Sequence, residues 1–132
     1  GIAMQVIAKI SRIVGFEQLH VGAAVGKMSE PREEVLMNCE ALRGEMSGLK
    51  RVMPVASGGL HPALVPSLID IFGIDFVIQA GGGIHGHKHG TVAGAKAMRQ
   101  AVDATVKHIA LEEYAATHRE LQIALETWKS AS

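Results

Sequence analysis

The sequence has little of what would settle its chemistry at a glance. One cysteine, Cys39, excludes a disulfide within the chain, and a lone thiol fits a reducing cytoplasm as a small, partly buried apolar residue of a helix. Thirteen basic and thirteen acidic residues balance to a formal charge of +0, with no run of Lys or Arg, so the electrostatic footprint of a nucleic-acid or anionic-membrane partner is absent. No stretch approaches the roughly 20 apolar residues of a membrane span. The N-terminus also lacks the basic-then-apolar order of a secretion signal. No low-complexity linker divides the 132 residues, and 48% hydrophobic with 20% charged residues is an ordinary globular balance. These absences point to one cytoplasmic globular segment.

What is present begins abruptly. Residues 2–14 place Ile2, Val6, Ile10 and Ile13 at helical spacing, yet only Gly1 stands in front to supply a cap or connection. The chain is expected to start inside a larger structure. Gly15 reads as a helix stop. Phe16–Val21 reads as a short strand, and a loop bracketed by Gly22 and Gly26 follows. Ser29 is the expected N-cap of the next helix, with Pro31 in its first turn and Glu30, Glu33 and Glu34 at the positive end of its dipole. That helix is expected to reach about Met46. A second strand ends at Ser57, Gly58 and Gly59 form a tight turn, and a helix runs to Gly73. The third unit repeats the order, with a strand over 75–80, a turn at Gly81, Gly82 and Gly83, and a helix from about Gly90. On that helix Val92, Ala95, Met98, Val102 and Val106 are expected to share one face. From about Ile109 to Trp128, a stripe of Tyr114, His118, Leu121, Leu125 and Trp128 reads as packing surface for the core or a partner.

Strands alternating with helices at this spacing predict an α/β fold with a parallel sheet. Three parallel strands alone leave two open edges, which natural proteins normally cover or close. The C-terminal half of a (β/α)8 barrel accounts for both the abrupt start and the open sheet. A small open sheet flanked by the terminal helices is the competing architecture.

In parallel α/β folds the chemistry collects at the carboxyl ends of the strands. Here those positions hold His20, Gly22, Gly26 and Lys27, then Ser57, Gly58 and Gly59, then Gln79, Gly81, Gly82 and Gly83. Glycine after a strand is often just a tight turn. Two glycine clusters in successive units fit a phosphate better, because unhindered N–H groups can close around the anion and the next helix aims its positive end there. Lys27, in a glycine-hinged loop, reads as a charge carried by a closing lid or as a solvated lysine. The trio His85, His87 and His89 would project to one side of an extended segment and could ligate zinc or nickel. Gly86 and the lack of a nearby carboxylate leave that geometry unspecified, and loop packing is the alternative.

Three stretches, "LHVGAAVGKMSEPRE", "VMPVASGGLHPALVP" and "VIQAGGGIHGHKHGTVAGAKAMRQA", resemble in order and spacing the large subunit of ribulose-1,5-bisphosphate carboxylase/oxygenase, most closely its archaeal type III or II/III branch. The resemblance implies the C-terminal half of a TIM barrel, strands six to eight, with residues 1–108 running from helix five through helix eight and 109–132 forming a C-terminal helical extension. It implies a parent enzyme that carboxylates ribulose 1,5-bisphosphate with CO2 to two 3-phosphoglycerates, with O2 as a competing reactant. It implies Mg2+ as cofactor, held by ligands outside these residues, and as partners the rest of the large subunit and a second copy. Lys27 matches the lid lysine that stabilises the new carboxylate, and His20 a contact to one substrate phosphate. Ser57 matches a serine bonded to the sugar backbone, while Gly59, Gly81 and Gly82 match donors to the other phosphate. Gly58 and Gln79 fall inside the same motifs. Ala23, where the family often has threonine, and Lys88, where it commonly has proline, depart from the pattern. The isolated chain is expected to be inactive. The alternative is a non-catalytic phosphate-binding or assembly module of half-barrels.

Overall fold

Three strands, Gln18–His20 (β1), Met53–Ser57 (β2) and Val77–Gln79 (β3), form a parallel sheet with β2 in the middle. The register pairs His20 with Val55 and Ser57 with Gln79, so β2 and β3 end level, β1 ends two residues earlier, and all three carboxyl ends lie on the same side. This is a computed structural model, and it describes residues 1–27 and 30–129. Pro54, Val55 and Ala56 of β2 are buried, as expected of a parallel strand covered on both faces.

Seven α-helices surround the sheet among the described residues: Met4–Ile13 (α1), Arg32–Arg43 (α2), Val65–Phe72 (α3), Gly82–His85 (α4), Gly90–Val106 (α5), Leu111–Ala115 (α6) and Arg119–Lys129 (α7). A 3-10 turn, Pro62–Leu64, leads into α3, and Gly73 ends α3 at φ 74°, where only glycine is unstrained.

Three expectations need correction here. Pro31 is the residue that caps α2, in extended conformation, rather than a member of its first turn. Ser29, the expected cap, lies outside the described residues. The same helix ends at Arg43, short of Met46, because Gly44 turns extended and the freed carbonyls of Ala41 and Gly44 are taken by Arg12. The core face of α5 is Gly94, Ala97, Met98, Ala101 and Ala104, whereas Val92 and Val106 point outward at 74% and 54% exposure. Small residues face inward because α4 lies close against α5: a Cβ on Gly94 would sit 2.0 Å from the Ile84 carbonyl oxygen.

The buried residues form two clusters. One joins α1, α2, α3 and β2 through Ala8, Val35, Leu42, Ala56, Leu68 and Phe72. The other joins α3, α5, α6 and α7 through Val65, Met98, Ala101, Leu111, Leu121 and Leu125, so much of the C-terminal stripe is core. Ile78 of β3 packs against both. Helix α1 is turned inside out by comparison. Beside Ala8 it buries Ser11 and Arg12, while Ile10 and Ile13, with the flanking Ile2 and Val14, stand more than half exposed. Together with the outer edges of β1 and β3, each paired on one side only, this face leaves apolar and backbone surface uncovered in the isolated chain. Among the described residues no helix is long and apolar enough to cross a membrane.

Candidate functional site

The carboxyl ends of the three strands gather the polar residues that the strand-end rule singles out. His20, the last residue of β1, and Ser57, the last of β2, share a hydrogen bond of 2.9 Å between Nδ1 and Oγ. Gln79 ends β3 as the register partner of Ser57 and is exposed. The sheet alone accounts for this arrangement.

The loop carrying Lys27 is held against the turn after β2 by backbone-to-backbone contact that only glycines permit. A Cβ on Gly26 would lie 2.6 Å from the Gly58 carbonyl oxygen, and one on Gly59 would lie 2.7 Å from the Lys27 Cβ and 2.9 Å from its nitrogen. Gly26, Gly58 and Gly59 all have positive φ, at 93°, 114° and 69°. The loop's base is tied by Glu30, whose carboxylate accepts the Ala23 N–H at 3.2 Å and packs on Gly22. Lys27 is itself exposed, and among the described residues no acid pairs with it.

After β3 the chain passes directly into a short helix that sequence reasoning missed. The N–H groups of Ile84 and His85 both donate to the Gly81 carbonyl, and that of Gly86 donates to Gly82. The triple glycine therefore opens α4, and α5 begins only after a further turn. N–H groups in a helix's first turn have no carbonyl four residues back to bind. Gly81 and Gly82 have no atom within 4 Å of a built Cβ and are open to approach, whereas Gly83 is locked, its Cβ position only 2.0 Å from the Leu60 carbonyl oxygen.

The histidine trio is not an extended row. His85 lies in α4 with Nδ1 3.1 Å from Thr91 Oγ1. His87 is buried, its Nε2–H donating to the Glu120 carbonyl at 3.0 Å while Nδ1 accepts the His89 N–H at 3.0 Å. Both its nitrogens are engaged, so it fastens the start of α7 to the loop. Among the described residues no group of His, Cys, Asp or Glu is arranged to hold a metal ion. His61, just past Gly59, was not singled out by its sequence. Burial pushes its imidazole below the ordinary histidine pKa, keeping it neutral at pH 7, and it stacks on Trp128 of α7.

Residues 1–128 match the family model described as the ribulose bisphosphate carboxylase large chain, catalytic domain. The chain belongs to the ribulose bisphosphate carboxylase large-chain family. It is 51% identical over 128 residues to a ribulose bisphosphate carboxylase of Pyrococcus furiosus, an alignment covering 97% of this chain and 30% of that protein. Among solved structures it superposes with a TM-score of 0.95 and 45% identity on the octameric Rubisco of Pyrococcus horikoshii OT3, in complex with sulfate ion, over 100% of this chain and 31% of that one. A rubisco-like protein of Alicyclobacillus acidocaldarius matches at TM-score 0.89 and 36% identity, over 97% of this chain and 32% of that one. The chain thus spans about a third of its Rubisco relatives and carries their α/β fold in that part.

Proposed function

We propose that these residues are strands six to eight of a Rubisco (β/α)8 barrel and form the wall of its active site that grips ribulose 1,5-bisphosphate. Residues 1–108 would be the partial barrel and 109–132 its helical extension. The observation that carries the reading is the meeting of His20, Ser57, Lys27 and the Gly58–Gly59 turn at one end of the sheet. In this reading His20 donates to one phosphate and Ser57 to the sugar backbone, beside Gln79. The N–H groups of Gly58, Gly59, Gly81 and Gly82 receive the other phosphate. The Lys27 ammonium stabilises the carboxylate formed when CO2 bonds to C2 of the sugar; addition of water at C3, cleavage of the C2–C3 bond and return of a proton to C2 then yield two 3-phosphoglycerates. The electrostatic logic is a cation and N–H dipoles fixed in advance where charge sits or develops.

The same site would admit O2 in place of CO2. Mg2+, implied by the family, would polarise the sugar oxygens. Its ligands would come from parts of the enzyme beyond these residues, as would the remaining barrel strands that pair with the edges of β1 and β3 and cover α1. A whole enzyme of this kind would be cytoplasmic and assemble with further copies of itself, as the octameric relative does.

The test is incubation of the full-length protein with ribulose 1,5-bisphosphate, Mg2+ and labelled CO2. Label appearing in acid-stable 3-phosphoglycerate is the expected result; none, with bisphosphate still bound, would overturn the carboxylase reading in favour of a binding module.

A further inference from the structure

Behind the two glycine turns lies a pair of rings to which the reading above gives no part. The imidazole of His61 and the indole of Trp128 are stacked with centroids 4.8 Å apart and an interplanar angle of 7°. His61 Nδ1 and Trp128 Nε1 are both shut off from solvent, and neither has a hydrogen-bond partner among the described residues. Buried polar atoms are normally paired. Packing of ring on ring therefore holds the two together.

The segment after β3 meets this pair at two points, the backbone of His61 and the ring of Trp128. A Cβ on Gly83 would fall 2.7 Å from His61 Cα, and one on Gly86 would lie 3.5 Å from Trp128 Cζ2. The turn after β2 is tied to it through the chain, since only Leu60 separates Gly59 from His61. Leu60 is buried, and its carbonyl is the atom nearest the Gly83 Cβ position. One stack thus adjoins both turns, and half of it comes from α7, with Trp128 lying 67 residues beyond His61 in the chain.

We propose that the His61–Trp128 stack is a positioning element that fixes the Gly58–Gly59 and Gly81–Gly82 turns relative to each other, so that their N–H groups converge on one phosphate. The inference rests on the reading that these turns bind phosphate. Neither ring needs to touch substrate. Two stacked planes resist tilting and sliding where an aliphatic contact would allow both, and a shift of about 1 Å in a binding group can cost about a hundredfold. On this account α7 is part of the site's frame.

The experiment is steady-state carboxylation by the full-length enzyme carrying this segment, with inorganic phosphate as competing inhibitor, alongside thermal melting. The unaltered protein is compared with Trp128→Ala, Trp128→Phe and His61→Ala. Loss of either ring should raise the KM for ribulose bisphosphate and the inhibition constant of phosphate together, by about fivefold or more, with kcat within about twofold. Trp128→Phe, which keeps a stacked plane, should restore both. A lowered melting temperature with both constants unchanged would overturn the proposal, since a purely structural pair would behave that way. If the alanine variants do not fold, Trp128→Leu keeps the apolar volume without the plane; a normal KM there overturns the proposal equally. Phosphate that fails to compete in the unaltered enzyme removes the phosphate reading and the proposal with it. Competition that no ring substitution alters removes the positioning role alone.

Discussion

The two ends of the sheet use their polar groups in opposite ways. At the amino end, Arg12 is buried and spends its guanidinium on four backbone carbonyls, those of Ala41, Gly44, Leu49 and Lys50, at 2.7–3.2 Å. Arg43 likewise donates to the carbonyls of Phe72 and Asp75, in the connection before β3. At the carboxyl end Lys27, His20 and Gln79 are exposed, and Gly81 and Gly82 have nothing within 4 Å of where a Cβ would stand. A cation whose hydrogen bonds go to the backbone holds the fold, because burying it unpaired would be costly. A cation left open beside unhindered glycines is available to a ligand.

The sharpest way to break this comparison is at Arg12. Arg12→Leu leaves four carbonyls to find new partners and should cost about 3 kcal/mol or more of stability in urea unfolding. A variant as stable as the parent would show that the amino-end clasp is dispensable. Next in size is a contrast within the triple glycine. Gly83→Ala drives a methyl into the Leu60 carbonyl and should destabilise by about 1–3 kcal/mol, while Gly82→Ala, with nothing within 4 Å, should stay within about 0.5 kcal/mol. Equal losses at both positions would mean that the turn is not locked on one side and open on the other.

Smaller effects follow from titration. The folded His61 binds its proton less readily than the unfolded chain, whose ordinary value is 6.5. The unfolded state therefore gains protons first, so this contribution to stability is full above pH 6.5 and declines as the pH falls below it. His61→Phe should flatten that decline, and an unchanged pH profile of the melting temperature would assign the decline to other groups. Smallest of all, burial raises the Cys39 thiol above its ordinary pKa, so iodoacetamide at pH 8 should label the folded protein slowly and the urea-unfolded chain fast.

Much of the site was legible from strand ends and glycines, because parallel strands declare themselves by apolar runs and the residues after them are few. Ser57, Gln79 and His20 fall where that rule puts them. Helix α4 was not legible: Gly-Gly-Gly reads as a turn by propensity, and only the bonds from Ile84 and His85 to the Gly81 carbonyl close it into a helical one. The face of α5 was misread because bulky aliphatics signal burial in general, whereas close approach to α4 selects glycine and alanine. The one signal of Arg12 was an adjacent polar pair, Ser11 and Arg12, in a helix whose other polar residues, Gln5 and Lys9, stand singly. His61 and Trp128 carried no local sign of each other, since their contact is tertiary.

The central claim is that the carboxyl end of this sheet acts on a ligand while the amino end holds the fold, and Lys27 tests it most directly. In the full-length protein, Lys27→Met should leave the melting temperature within about 2 °C, as exposed substitutions usually do. The rate of 3-phosphoglycerate formation should fall by at least about a hundredfold, the scale of losing one preorganised charge partner of the reaction. Full carboxylation by Lys27→Met, or a collapse of stability with it, would contradict the account.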